Sequence, residues 1–189
     1  MDVTRAALLA LVLAACAPAR SPSSMSSIPN RSLPGGDGRP HALVAPEAKL
    51  TVIEFFSAHC PCQAAHDARL RDLVKSYAPR GVAFLALDSE AGNGIERARA
   101  EAQRRDYVHP ILVDAGGAMA RALAADYATY TLVVDRDGHV VYVGGIDSDK
   151  NHLTDDAVPY LRDALDDALA DRPLRRPDGK TLGCALMLE

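Results

Sequence analysis

The sequence predicts an α/β fold in which a mixed sheet lies between layers of helices and ends in an antiparallel hairpin. Segments with strand and helix patterns alternate along most of the chain, which favours parallel strands connected by helices. The run Val82–Leu87 is apolar at every position, as in a strand buried on both faces. The polar segment Asp135–Gly138 separates two β-rich runs and is a strong hairpin signal.

In the first half of the chain, we expect a short strand at His41–Val44 and the first main strand at Lys49–Ser57. A helix at Gln63–Tyr77 should follow, because its apolar residues recur at spacings of three and four. Val82–Leu87 is the next strand. The charged segment Ile95–Arg105 predicts a helix on the surface.

In the second half, Pro110–Val113 predicts a short strand and Ala118–Asp126 a short helix. The β-rich runs Tyr130–Val134 and His139–Val143 form the predicted hairpin. Thr154–Ala170 is the last predicted helix. Two aspartates near its start favour this N-terminus, because the helix dipole stabilises negative charge there.

The first 36 residues are predicted to lie outside the folded domain. Residues 1–15 contain a weakly positive start and a short apolar run, which is typical of a signal peptide and too short for a permanent membrane span. The sequence Leu13-Ala14-Ala15-Cys16 resembles the bacterial lipoprotein signal, and this resemblance implies cleavage before Cys16 and lipid on its sulfur. An ordinary cleaved signal peptide is the alternative. Residues 16–36 are rich in Ser, Pro and Gly and predict a flexible tether.

Either signal would export the chain, so we expect it on the periplasmic side of a bacterial membrane, where disulfides form and persist. Lipid on Cys16 would make the membrane a partner through this anchor. The folded domain is predicted at residues 37–172, followed by a tail at residues 173–189 that contains Gly183-Cys184. The net charge is −4, and no basic or aromatic pattern predicts a nucleic-acid surface.

Two thiols lie where the first main strand is predicted to end and the first helix to begin, in the sequence Cys60-Pro61-Cys62. Free N–H groups and the helix dipole stabilise a thiolate at such a junction. Pro61 suits the first helical position, which needs no N–H, and it favours an extended Cys60. We predict that Cys60 is the nucleophile and that Cys62 resolves the disulfide it forms. A Cys60–Cys62 disulfide should be strained and therefore oxidising.

The chain resembles the thioredoxin-like redoxin family, in its peroxiredoxin-like branch (alkyl-hydroperoxide-reductase–thiol-specific-antioxidant), over about Asp37–Ala170. The resemblance is carried by Val52–Cys62 and Thr131–Gly138, and more weakly by Gly183-Cys184. It implies the thioredoxin-like three-layer α/β/α fold and thiol–disulfide oxidoreductase activity. Protein thiols or disulfides would be the partners, together with an unidentified electron donor or acceptor. We expect no cofactor.

The resemblance also implies roles for positions around the two thiols. Thioredoxins hold a proton-relaying acid six residues before the first cysteine, where this chain has Glu54. Burial among apolar residues should raise its pKa, whereas a salt-bridged glutamate at a sheet edge is the alternative. The family's second cysteine position holds Gln63, and its cis-proline falls at about Thr129. We predict that Pro61, Thr129 and Tyr130 line the substrate groove.

The remaining thiol and the histidines leave alternatives open. Cys184 is either a spare thiol or the resolving partner of one of the other two. His66 lies four residues after Cys62, so Cys60, Cys62 and His66 could hold Cu(I) or Zn(II). The chain would then be a copper-binding chaperone of thioredoxin fold. Such chaperones use a distant histidine, for which only His139 and His152 are candidates.

A thiol peroxidase of peroxiredoxin type is a further alternative. The peroxiredoxin motif is Pro-x-x-x-Thr-x-x-Cys, and measured to Cys60 its threonine position holds Ser57. The proline position holds Ile53, which departs from the motif. The sequence therefore favours the oxidoreductase over the peroxidase.

Overall fold

The structure of the protein is a computed structural model, and it describes residues 25–189. The predicted signal peptide and Cys16 lie outside the described residues. Seven strands are present in this part of the chain: β1 (Ser32–Pro34), β2 (Pro40–Ala42), β3 (Leu50–Phe56), β4 (Val82–Asp88), β5 (Ile111–Val113), β6 (Thr131–Asp135) and β7 (Val140–Gly144). The helices there are α1 (Pro61–Tyr77), α2 (Ile95–Arg104), α3 (Ala118–Ala122) and α4 (Tyr160–Leu169).

Five of the strands form one mixed sheet in the order β5-β4-β3-β6-β7. β3, β4 and β5 are parallel, whereas β6 pairs antiparallel with β3 and β7 antiparallel with β6. β3 is thus the central strand, buried along its whole length. The predicted thioredoxin-like α/β fold with a C-terminal antiparallel hairpin is confirmed.

Successive side chains of β3 pack into two different apolar layers, because side chains alternate between the faces of a strand. Val52 and Phe56 belong to the layer that also contains α1 and α4 residues. Ile53 and Phe55 belong to the layer that contains α3 residues. The sheet therefore lies between helices, and Glu54 shares the α1 face with Val52 and Phe56.

The last helix starts later than predicted, at Tyr160 instead of Thr154. Pro159 is the residue before the helix, and a proline disfavours helical geometry in the residue that precedes it. The Thr154 N–H and hydroxyl bind Asp149, which holds this segment in a turn. The two aspartates after Thr154 therefore lie in that turn and not at the helix start.

The folded part begins earlier than the predicted boundary at residue 37. β1, which falls in the predicted tether, pairs antiparallel with β2. Ile28 is buried in the core, and its N–H donates to the carbonyl of Gly138 at 2.9 Å. Residues 26–36 therefore belong to the domain, because apolar residues within this Ser- and Pro-rich segment find partners in it.

None of the helices within residues 25–189 combines the length and apolar character that a membrane crossing requires.

Candidate active site

Cys60 lies at the junction between β3 and α1. It is the N-cap of α1, with φ −79° and ψ 118°, and Pro61 is the first residue of the helix. This extended geometry is the one that a following proline favours. The predicted strand–thiol–helix arrangement is confirmed.

The thiol of Cys60 is buried, yet its pKa is lowered. The side chain is 2% exposed, and the N–H of Cys184 donates to its sulfur at 3.3 Å. Burial opposes ionisation, but the Cys184 thiol and the N–H groups of Gln63, Cys184 and Cys62 outweigh it and lower the pKa of Cys60. Several donors at a helix N-terminus stabilise a thiolate, so Cys60 has the chemistry of a nucleophile.

The other two thiols of the site favour the protonated form. Burial and the neighbouring charge of Cys60 raise the pKa of Cys62. Burial and the hydrogen bond to Cys60 raise the pKa of Cys184 to about 12. Ionisation is thus easier at Cys60 than at the two neighbouring thiols.

Cys184 joins this site although it lies 124 residues after Cys60. The sulfur atoms of Cys60, Cys62 and Cys184 all lie within 4.8 Å of one another, and all three thiols are free. The chain segment around Cys184 pairs with the segment that precedes Thr129, because the Ala128 N–H donates to the Cys184 carbonyl at 2.9 Å. The distance between the sulfurs places both Cys62 and Cys184 within reach of Cys60.

His66 is not grouped with the thiols among the described residues, and the alternative in which Cys60, Cys62 and His66 hold a metal stays a prediction. One of its ring nitrogens, Nδ1, lies 2.8 Å from the carbonyl oxygen of Cys62, and Nε2 lies 3.0 Å from Asp147 Oδ1. Both nitrogens face acceptors, which is the pattern of an imidazolium. Burial opposes this charge, but the bonds to Asp147 and to the Cys62 carbonyl raise the pKa of His66. Among the described residues, the potential metal ligands at this site are Cys60, Cys62 and Cys184.

His139, a candidate for the distant ligand, lies in the β6–β7 turn, where its Nδ1 is 3.1 Å from Asp135 Oδ2. It is exposed, and it groups with Asp135 and Asp137. Neither His66 nor His139 is grouped with the thiols among the described residues.

Glu54 lies at the centre of the sheet, between Ala86 of β4 and Thr131 of β6. The alternative of a salt-bridged residue at a sheet edge is therefore wrong. The residue is 3% exposed, and neither carboxylate oxygen has a hydrogen-bond partner among the described residues. Burial raises the pKa of Glu54 well above its ordinary value, with the amide of Gln63 opposing it in part. The predicted burial of this carboxyl is confirmed.

The three predicted groove residues differ in exposure and conformation. Pro61 is exposed beside Cys60. Thr129 is buried with a φ of 65°, and its N–H donates to the Phe55 carbonyl at 2.8 Å. Tyr130 is half-buried, its ring centroid 6.0 Å from that of Phe55. The left-handed conformation of Thr129 is uncommon for a β-branched residue and turns the chain sharply at the family's proline position.

A polar cluster near Glu54 has no counterpart in the sequence-based prediction. Gln63 donates to the Tyr107 hydroxyl at 3.1 Å, and that hydroxyl donates to Asp67 at 2.6 Å. Arg105 is buried and binds Asp67 through Nη1 at 2.8 Å. Gln63, Asp67 and Arg105 lie close enough to Glu54 to influence its pKa. The spacing of four residues between Gln63 and Asp67 could have indicated that both lie on one face of α1. That Tyr107 lies beside them could be learned only from the fold.

Comparisons with known proteins agree with this fold. The sequence model of the Redoxin family matches residues 23–159. No curated protein matches the chain. An uncharacterized conserved protein from Geobacillus kaustophilus is similar in structure, with 27% identity, a TM-score of 0.78, and coverage of 86% of this chain and 90% of that chain.

Two further solved structures share the fold at lower identity. A thiol-disulfide oxidoreductase from Bacteroides fragilis has 19% identity and a TM-score of 0.54, over 62% of this chain and 88% of that chain. A peroxidoxin from Mycobacterium tuberculosis has 20% identity and a TM-score of 0.56, over 76% of this chain and 92% of that chain. Because the family match spans most of the sequence and the structure has the thioredoxin-like fold, the chain belongs to the Redoxin family.

Proposed function

We propose that the protein is an extracytoplasmic thiol–disulfide oxidoreductase in which Cys60 is the attacking thiolate. The observation that carries the proposal is the contrast among three neighbouring thiols. Cys60 has a lowered pKa, whereas Cys62 and Cys184 have raised values. Membership of the Redoxin family supports a redox function.

The proposed reaction has two exchange steps. The Cys60 thiolate attacks one sulfur of a partner's disulfide, which forms a mixed disulfide and releases the other sulfur as a thiolate. A second thiol of the site then attacks the Cys60 sulfur, releases the partner's remaining thiol and closes an internal disulfide. Cys62 and Cys184 are both near enough for this second step. The same steps in reverse would oxidise a partner dithiol.

Glu54 is proposed to hold the proton that the second thiol must lose. Its carboxyl is buried, burial raises its pKa well above the ordinary value, and a charge on Cys60 raises that pKa further. A buried acid with a raised pKa is suited to proton transfer near neutral pH. We expect Glu54→Gln to slow the second exchange step by about 100-fold, in line with the usual contribution of a general acid or base.

The proposed location is the periplasmic side of a bacterial membrane, with a lipid on Cys16. The support is the sequence Leu13-Ala14-Ala15-Cys16 and the Ser- and Pro-rich stretch that follows it. Metabolic labelling with a fatty acid tests this directly. Loss of the label in Cys16→Ser supports the anchor, and a label that persists contradicts it.

Exchange with a small disulfide tests the enzymatic proposal. Reduced protein is mixed with glutathione disulfide, and the formation of protein disulfide is followed by mass. Cys60→Ser should abolish the reaction, whereas Ser57→Ala, a change beside the site that keeps all three thiols, should retain it. Full activity of Cys60→Ser would refute the proposal. Turnover of hydrogen peroxide that exceeds turnover of disulfides would favour the peroxidase instead.

Copper binding is a second candidate, because the three sulfurs are mutually within 4.8 Å. Thiolates suit Cu(I), and three sulfurs at this separation can surround one ion. The ligand set would be Cys60, Cys62 and Cys184. One Cu(I) per chain, lost on removal of any of these thiols and kept in His66→Ala, would support this candidate; binding that survives in Cys184→Ser would contradict this ligand set.

A further inference from the structure

The end of the chain forms a strand-like strap over the active site. In this strap, residues 183–189, the inward residues Cys184, Leu186 and Leu188 are partly buried and alternate with exposed residues. Alternation with a period of two is the pattern of a strand. The strap pairs antiparallel with the segment Asp126–Ala128, since the Ala128 N–H donates to the Cys184 carbonyl and the Leu186 N–H to the Asp126 carbonyl, each at 2.9 Å.

Gly183 lets the strap approach this closely. A Cβ atom at Gly183 would lie 1.7 Å from the carbonyl oxygen of Ala128 and 2.6 Å from its carbonyl carbon. No side chain fits such a gap, because both obstructing atoms belong to the backbone. Any residue other than glycine would therefore push the strap away from the Ala128 segment.

The strap closes the site to large partners. Cys60 and Cys62 are each 2% exposed, and the residues that pack around them are Ala128, Cys184 and Leu186. A protein disulfide must bring its sulfur into contact with the Cys60 sulfur, and the strap covers that sulfur, with the Cys184 N–H 3.3 Å from it. Attack on such a partner therefore requires the strap to lift.

The residues that precede the strap, Arg175 to Gly179, are held by contacts that do not involve the strap. Arg175 binds the carboxylate of Asp167 through its backbone N–H and its guanidinium, at 3.0 Å and 2.8 Å. The Gly179 N–H donates to the Val143 carbonyl at 3.1 Å, which seats the tail on β7. The strap can thus leave the Ala128 segment while the tail stays attached upstream.

We propose that the strap is a built-in substitute for the partner's strand, and that Cys184 is the thiol that resolves the mixed disulfide on Cys60. An incoming partner would pair its extended, cysteine-bearing segment with Asp126–Ala128 after the strap lifts. Return of the strap would bring Cys184 back to Cys60 and expel the partner. This proposal rests on the proposed oxidoreductase function and names the partner's shape and the resolving residue.

The two exchange steps transfer two electrons from the enzyme to the partner. The Cys60 thiolate and a disulfide R–S–S–R′ give Cys60–S–S–R and R′–S⁻, which takes a proton from solvent. Cys184 then loses its proton and attacks the Cys60 sulfur as a thiolate, giving the Cys60–Cys184 disulfide and the leaving thiolate R–S⁻. The proton from Cys184, which Glu54 is proposed to hold, ends on R–S⁻ and gives R–SH. The partner's disulfide is thereby reduced. A dithiol reductant must then reduce the Cys60–Cys184 disulfide before the enzyme can act again.

Geometry favours Cys184 over Cys62 in the second step. Cys60 and Cys62 are separated only by Pro61. Cys60 is extended, whereas Cys62 lies in the first turn of α1. A disulfide across one residue is strained. Cys184 comes from a separate segment that is free to adjust, and its N–H already donates to the Cys60 sulfur.

The first experiment follows the mixed disulfide. The probe is a peptide that copies residues 181–189, with its cysteine joined to glutathione, and intact mass reports what is bound to Cys60. Cys184→Ser should accumulate the mixed disulfide at least tenfold above wild type, whereas Cys62→Ser should resolve it. Accumulation in Cys62→Ser alone would overturn the proposal. A probe that never attaches to Cys60 in any variant would instead refute the oxidoreductase function itself.

The second experiment lifts the strap without touching a thiol. Gly183→Ala should speed attachment of the same probe at least tenfold and remove the hydrogen-exchange protection of the Ala128 amide. The Phe55 amide, which donates to the Tyr130 carbonyl inside the domain, should stay protected and report that the fold is intact. Gly94→Ala is the matched control, because a Cβ there meets nothing within 4 Å. A rate for Gly183→Ala equal to that of the control, with Phe55 protected, would overturn the proposal.

Discussion

Replacing Glu54 by glutamine should stabilise the domain at neutral pH and leave its stability at pH 4 nearly unchanged. The two side chains have almost the same shape, so the change mainly removes a proton-binding group from the centre of the sheet. Within residues 25–189, neither carboxylate oxygen of Glu54 has a hydrogen-bond partner, and burial raises the pKa of this carboxyl well above the ordinary value. In the unfolded chain the same carboxyl ionises normally, near pH 4.3.

The size of the effect follows from linkage. Between the unfolded pKa and the raised folded pKa of Glu54, the folded protein binds one more proton than the unfolded chain. Its free energy of unfolding therefore falls by about 1.4 kcal/mol for each pH unit, and Glu54→Gln lacks this loss. Burial also raises the pKa of Asp88, to about 6, but Asp88 is present in both proteins and cancels in the difference.

Urea unfolding of both proteins under reducing conditions, at each pH from 4 to 8, measures this difference. The two stability curves should separate steadily as pH rises above about 5. The exposed residue Glu47 provides the control, because Glu47→Gln should run parallel to wild type throughout. Parallel curves for Glu54→Gln and wild type would mean that Glu54 is already ionised when folded, and the proposed proton-holding role would fail.

Three further outcomes are expected. Asp147→Asn should lower the pKa of His66 in a histidine NMR titration. It should cost about 1–3 kcal/mol below pH 6.5 and less as pH rises through the folded pKa, because stability from a raised histidine pKa is lost in that direction. Phe56→Ala should cost about 3–5 kcal/mol in urea unfolding, since the ring is fully buried. Cys184→Ala should raise the pKa of Cys60, seen as slower alkylation at pH 7, because it removes the thiol donor.

Much of the fold could be predicted because its signals are local. The strands β3 and β4 are apolar runs, and α1 carries apolar residues at helical spacing, so each was placed within two residues of its observed bounds. The start of α4 was missed because the Asp149–Thr154 contacts compete with a helix there. That Ile28 belongs to the folded domain was missed, because its burial depends on the distant β6–β7 turn.

The candidate site was predictable where its residues are neighbours in sequence. The strand–helix junction could be predicted from the sequence Cys60-Pro61-Cys62 itself. The burial of Glu54 could be predicted because it lies in an apolar strand, and the thioredoxin resemblance implies an acid six residues before Cys60. The approach of Cys184 could not be derived in this way, because it depends on backbone pairing across 56 residues, from Ala128 to Cys184. Likewise, the contact of His66 with Asp147 joins elements 81 residues apart.

The most direct test of the account is the disulfide state of the domain after equilibration with glutathione buffers of defined potential, read by thiol counting and peptide mapping. We predict one reversible two-electron disulfide that includes Cys60, with the third thiol of the site left free. Peptides should link Cys60 to Cys184 if the strap resolves the mixed disulfide. Three thiols that stay free even in fully oxidised buffer would contradict the central claim that Cys60 is a redox-active nucleophile.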